Sequence, residues 1–123
     1  MAYTLTLRDE PNYLHAIVTG ENSEATVSGY LDALLHECVR RKCTRLLIEE
    51  HLEGRRLGTF EVFRIASEGS GRARGHLRAV AYVDANTEGD RMRFAENVAV
   101  NRGLNGAVFS SVSDAKAWLG GTA

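Results

Sequence analysis

Glu49, Glu50 and His51 stand in a row at the end of an apolar stretch, TRLLIEE, the one place in this sequence where acid–base groups gather. Carboxylates beside an imidazole are the material of general acid–base catalysis. Sites in parallel sheets collect at the carboxyl ends of strands, so a hydrolytic or isomerising pocket is conceivable here. No nucleophile with an obvious base accompanies the three, and Gly-x-Ser-x-Gly is absent. Just beyond, Arg55 and Arg56 precede Thr59 and Phe60. A hydroxyl at a helix start can carry a phosphate, which unpaired N–H groups and two arginines would stabilise. Thr is equally a favoured helix cap. We read Thr59 as a cap first and a phosphoacceptor second. Phe60, a bulky ring beside two arginines, is a candidate anchor for a partner.

Other motifs carry less chemistry. GSGRARG at 69–75 has the glycines of a phosphate loop, but it follows a helical pattern and precedes a strand, the wrong order for one. It reads as a helix break and a solvated connection. His15, His36, His51 and His76 are scattered and show no metal-ligand spacing. His15 alternates with Leu14 and Ala16, which puts it on the solvent side of its strand. Cys38 and Cys43 read as reduced thiols, Cys38 as a small core hydrophobe. No metal and no cofactor is expected.

The elements that position these residues follow from periodicity. YTLTLRD and Tyr13 to Val18 alternate as two strands about the turn Asp9-Glu10-Pro11-Asn12, an antiparallel hairpin. Val27, Tyr30, Leu31, Leu34, Leu35 and Cys38 recur at helical spacing, and Arg40, Arg41 and Lys42 suit the end of that helix. Thr44 to Glu50 is a third strand, Phe60 to Ala66 a second helix, and Leu77 to Ala85 a strand buried on both faces. Thr87 and Asp90 open a third helix that Gly103 stops; GAVFSS is a fifth strand, and Ser113-Asp114 cap a last helix ending in Trp118-Leu119. The order β-β-α-β-α-β-α-β-α predicts one α/β domain over 1–123, with a mixed sheet of five strands, the later ones parallel with right-handed crossovers.

Composition agrees with a soluble domain: 44% hydrophobic, 25% charged, net charge −1. No apolar run approaches the roughly 20 residues of a membrane span, and MAYTLTLRDE lacks a signal-peptide pattern, so the expected compartment is the cytoplasm. Residues 40–78 hold ten of the 15 basic residues and five of the 16 acidic ones. This basic middle is first a solvated face and second a surface for an acidic partner. The aromatics are spaced as core residues rather than as a stacking platform, which argues against nucleic acid as a partner.

Two stretches, TRLLIEEHLEGRRLGTFEVF and FAENVAVNRGLNGAVFSSVSDAKAWL, carry a family likeness. The chain resembles the STAS domains, in particular the SpoIIAA-like branch named for bacterial anti-sigma factor antagonists. The resemblance implies a sheet starting with a hairpin and covered by helices. It implies a Ser or Thr, here matched by Thr59, that a partner kinase phosphorylates to switch binding. The acceptor pattern Asp-Ser-(Ser/Thr)-Gly is replaced by Leu57-Gly58-Thr59-Phe60. The expectation is a non-enzymatic regulatory module that docks another protein, a regulatory factor or kinase, through Arg55, Arg56, Thr59 and Phe60, with a homodimer compatible. The alternative is a binding protein for a small apolar or lipid-like ligand, held near Phe60, Phe63 and Phe94 with arginines meeting an acidic head group. An enzyme using Glu49, Glu50 and His51 comes third. A deep apolar cavity would favour the second of these.

Overall fold

The computed structural model describes residues 3–54, 57–84 and 89–121, with the backbone alone at 59, 60, 89–94 and 121. Its element order is β1 (Tyr3–Asp9), β2 (Leu14–Glu21), α1 (Glu24–Arg41), β3 (Arg45–Glu53), α2 (Thr59–Ala73), β4 (Ala79–Val83), α3 (Gly89–Asn101), β5 (Gly106–Phe109) and α4 (Val112–Gly121). The strands form one sheet in the order β1-β2-β3-β4-β5. The first pair is antiparallel, with Tyr3 opposite Gly20 and Asp9 opposite Leu14; every later pair is parallel. The α/β class and the mixed five-stranded sheet are those expected from periodicity.

Sequential parallel strands decide where the helices go. Each crossover from β2 to β5 steps in the same direction, and right-handed crossovers then put α1, α2 and α3 on one face. That face carries Leu14, Ala16, Val18, Leu46 and Ile48, packed with Val27, Tyr30, Leu34 and Cys38 of α1 and Ile65 and Ala73 of α2. The other face has its own small core, where Leu47, Ala79, Ala81 and Val83 meet Ala115 and Leu119 of α4. Phe109 and Trp118 complete it, ring centroids 5.7 Å apart.

Local chemistry sets the helix ends. Ser23 caps α1, its hydroxyl accepting from the N–H of Thr26 at 3.0 Å. Lys42, left-handed at φ 56°, ends it. Ser111 rather than Ser113 caps α4, accepting from the N–H of Asp114 at 3.2 Å.

Three other expectations are corrected. β3 continues through His51 and Leu52 to Glu53, paired throughout with β2. α2 is not broken at Gly69; it runs on to Ala73, and the turn falls at Gly75 with φ 89°. Ser70 and Ala73 are buried, and a Cβ added at Gly69 would come within 3.8 Å of the Leu31 side chain, so packing against α1 outweighs the low helix propensity of glycine. His15 is buried rather than solvent-facing, at 4% exposure. β2 is hemmed by β1 and β3, and Glu49 of β3 supplies a hydrogen bond that makes burial of the imidazole tolerable. The expected cap from Thr87 lies outside the described residues.

Candidate functional site

Adjacent strand residues point to opposite faces, and this alternation divides the acid–base row. Glu49 and His51 share the α4 face with His15; Glu50 turns into the three-helix face. The Nε2 of His15 lies 2.9 Å from Oε1 of Glu49, and Nε2 of His51 lies 2.5 Å from Oε2. Partial burial pushes the Glu49 carboxyl up, but the hydrogen bonds from His51 and His15 outweigh it and hold the group below the usual carboxylate range. Among the described residues no group of three His, Cys, Asp or Glu is placed to hold a metal ion.

Glu50 belongs to a different assembly. Parallel register sets Glu49 beside Val83, and so Glu50 beside Asp84 at the end of β4. Both carboxyls are buried, at 5% and 6% exposure. Tyr30 of α1 donates its hydroxyl hydrogen to Oε2 of Glu50, and Tyr82 and Asp84 also hydrogen-bond Glu50. Burial raises the Glu50 carboxyl above its ordinary range; the tyrosine bonds favour its ionised form, and Asp84 pushes against it. Burial likewise lifts the phenols of Tyr30 and Tyr82 well above the usual range, with the Glu50 charge adding to the effect.

This cluster forms one end of a pocket between the sheet and the helix layer. The pocket has a volume of about 230 Å³ and is walled by aliphatic side chains, among them Leu31 of α1, Val62 and Ile65 of α2, and Ile48 and Val80 of the sheet. Glu50, Tyr82 and Asp84 line it from the carboxyl-terminal halves of β3 and β4 and the residue just after β4. The lining meets the surface at Asp32 and Arg72, an exposed pair 3.3 Å apart. Glu96 of α3 also lines it, its carboxylate accepting from the N–H of Val108 at 2.9 Å.

The residues singled out in the sequence fare unevenly. Arg55 and Arg56 lie outside the described residues, and of Thr59, Phe60 and Phe94 only the backbone is described. The expected cap at Thr59 is corrected by one position. Gly58 is the N-cap, extended at ψ 165°, with its carbonyl accepting from the N–H of Val62 at 3.0 Å. Thr59 is the first residue inside α2. Glycine offers no capping oxygen, so Glu61 reaches back instead and accepts from the N–H of Gly58 at 2.9 Å. Phe63 is exposed on α2 and is not among the described wall residues of the pocket. Tyr30, Tyr82 and Asp84 were absent from the sequence-derived candidates. The available signal was Glu50 itself, two residues after Ile48 and four after Leu46: an acid on the core face of a strand needs partners.

No protein-family model matches this chain, and no curated protein matches it.

Proposed function

We propose that this chain binds a small, largely apolar molecule between its sheet and its layer of three helices. The observation that carries this reading is the pocket: about 230 Å³ of space walled mainly by aliphatic side chains, with a few polar groups, Glu50 and Asp84 among them, in its lining. Binding sites of small molecules have this make-up, apolar walls with a few convergent polar groups. The space equals roughly eight water volumes, which suits a molecule of modest size rather than a full lipid.

The test is to titrate eight-carbon chain compounds into the folded protein and follow the methyl resonances of Leu31, Ile48 and Val80. Saturable shifts that disappear in Ala66→Phe, where a ring occupies the pocket, support the reading. Resonances that stay put with every compound in the series overturn it.

A second reading, the regulatory docking module that the STAS resemblance implies, is favoured by one observation. Phe63 stands 40% exposed on α2, one turn beyond the proposed docking residues Thr59 and Phe60. Exposed aromatic rings are characteristic anchors at protein interfaces.

A further inference from the structure

We infer that β1 is the two-fold seam of a homodimer, in which the free edges of two copies pair antiparallel and join two five-stranded sheets into one. The inference stands apart from the pocket and uses none of its residues.

The edge itself comes first. β1 ends the sheet, and its seven residues pair with β2 without a bulge from Tyr3 to Asp9. The N–H of Glu10 donates to the carbonyl of Tyr13 at 3.0 Å, so 10 and 13 exchange backbone bonds. Alternation in the antiparallel register then turns 4, 6 and 8 toward β2. The N–H and C=O groups of Tyr3, Leu5, Leu7 and Asp9 point outward. Natural edges are blunted by Pro, by Lys, by bulges or by shortness. YTLTLRD has no such device, whereas β5 at the other edge has four residues, flanked by α3 and α4.

A second copy fits this edge along its whole length. A two-fold axis through Thr6 sets Leu5 against Leu7, Tyr3 against Asp9 and Thr4 against Arg8 of the second copy, so no like charges face each other. All four outward-pointing residues then find backbone partners. Tyr3, Leu5 and Leu7, half-buried in the single chain, become covered.

The helix above the edge favours a second copy over a lone peptide strand. α1 packs over both β1 and β2. With strands about 4.8 Å apart, the two α1 helices come to roughly 9–10 Å across the seam, the spacing of packed helices. The flank they present is small where it must be. Gly29 lies over Tyr3, where an added Cβ would sit 3.5 Å from the ring, and Ala33 follows one turn on. The carboxylate of Glu37, next in that row, is already held by Arg40 and Arg41. A peptide strand alone would leave this flank uncovered.

The test is sedimentation velocity over about 1–100 μM chain, together with amide hydrogen exchange. The expected result is a species of twice the chain mass, with slow exchange at Leu5, Leu7 and Asp9. Thr6 is exposed in the single chain, and Thr6→Lys and Thr6→Glu each place like charges opposite one another across the axis. Each variant should weaken association about tenfold and free those three amides, and mixing the two should restore a heterodimer. A wild type that stays monomeric over the whole range overturns the inference. So does a dimer whose Leu5 and Leu7 amides exchange freely, since it is built on another face. Self-association of Thr6→Lys equal to the wild type, or two folded variants that do not pair on mixing, also overturns it. Should the variants fail to fold, the mass and exchange pattern of the wild type decide alone.

Discussion

A carboxyl as deep as that of Glu50 gives up its proton reluctantly, because burial disfavours the charge and Asp84 beside it adds repulsion. Its folded-state value lies above that of the unfolded chain, near 4.3 for glutamate. The stabilisation it contributes is therefore complete below that value and is lost as pH rises through the raised one. Wild-type stability should fall between pH 5 and pH 8 by more than that of Glu50→Gln, whose amide keeps an acceptor for Tyr30 and a donor for Asp84 without ionising. Urea midpoints of both proteins at the two pH values check this, and parallel slopes would dismiss it. Cys38 makes a second residue-scale case. Burial pushes its thiol up to about 12, with Cys43 adding to the shift. At pH 8 the thiolate fraction is on the order of one in ten thousand. Iodoacetamide should therefore leave Cys38 unmodified in the folded protein and alkylate it after unfolding, as peptide mass mapping would reveal. At this scale the sequence was half legible. Cys38 falls on the apolar stripe of α1, as read, and Glu50 falls on the core face by simple alternation. What spacing could not supply was Asp84 arriving beside it through the β3–β4 register, 34 positions away in the chain.

The helix ends make the element scale testable. Ser23 offers its hydroxyl to the N–H of Thr26 and bonds the Thr26 hydroxyl as well. Ser23→Ala should therefore destabilise the protein by about 1 kcal/mol. Thr59→Ala removes no capping oxygen, since Gly58 holds that position, and should stay within about 0.5 kcal/mol. Thermal unfolding of the two variants side by side makes the comparison; a larger loss at Thr59 would restore it as the residue that secures α2. The interior of α2 supports a prediction of the opposite sign. A Cβ added at Gly71 meets nothing within 4 Å. Gly71→Ala should raise stability by roughly 0.5–1 kcal/mol through helix propensity alone. The GSGRARG stretch was misread as a break for the same reason that this substitution is available. Glycine weakens a helix locally, and sequence spacing does not reveal that Ser70 and Ala73 are buried. Element order was legible because apolar periodicity is strong in α1, β3 and β4; ends depended on caps such as Ser111, which a neighbouring Ser113-Asp114 pair mimics.

At the scale of the molecule, the helices are distributed unevenly: three on one face and α4 alone on the other. That arrangement follows from sequential parallel strands and could be anticipated from element order. The pocket could not, because a void is what remains after the volumes of three helices and five strands have been fitted together, and no spacing of residues encodes it. Its presence makes a last prediction. Walls that face open space lack packing partners across it and lose the dispersion contacts a filled core would have. Ala66 lines the pocket from α2. Ala66→Phe should place a ring against Ile48 and Val80, bury new apolar surface, and raise the melting temperature by a few degrees, a rise corresponding to about 1 kcal/mol. Overpacking would instead lower it, and the sign separates two pictures of the same space. A stabilised variant that no longer takes octanol marks a preformed site whose emptiness is kept at the expense of stability, as a binding protein requires. A destabilised variant means that the walls close in on one another when no ligand is present, and binding must then open them. Melting curves of the wild type and Ala66→Phe, each with and without octanol, distinguish the two.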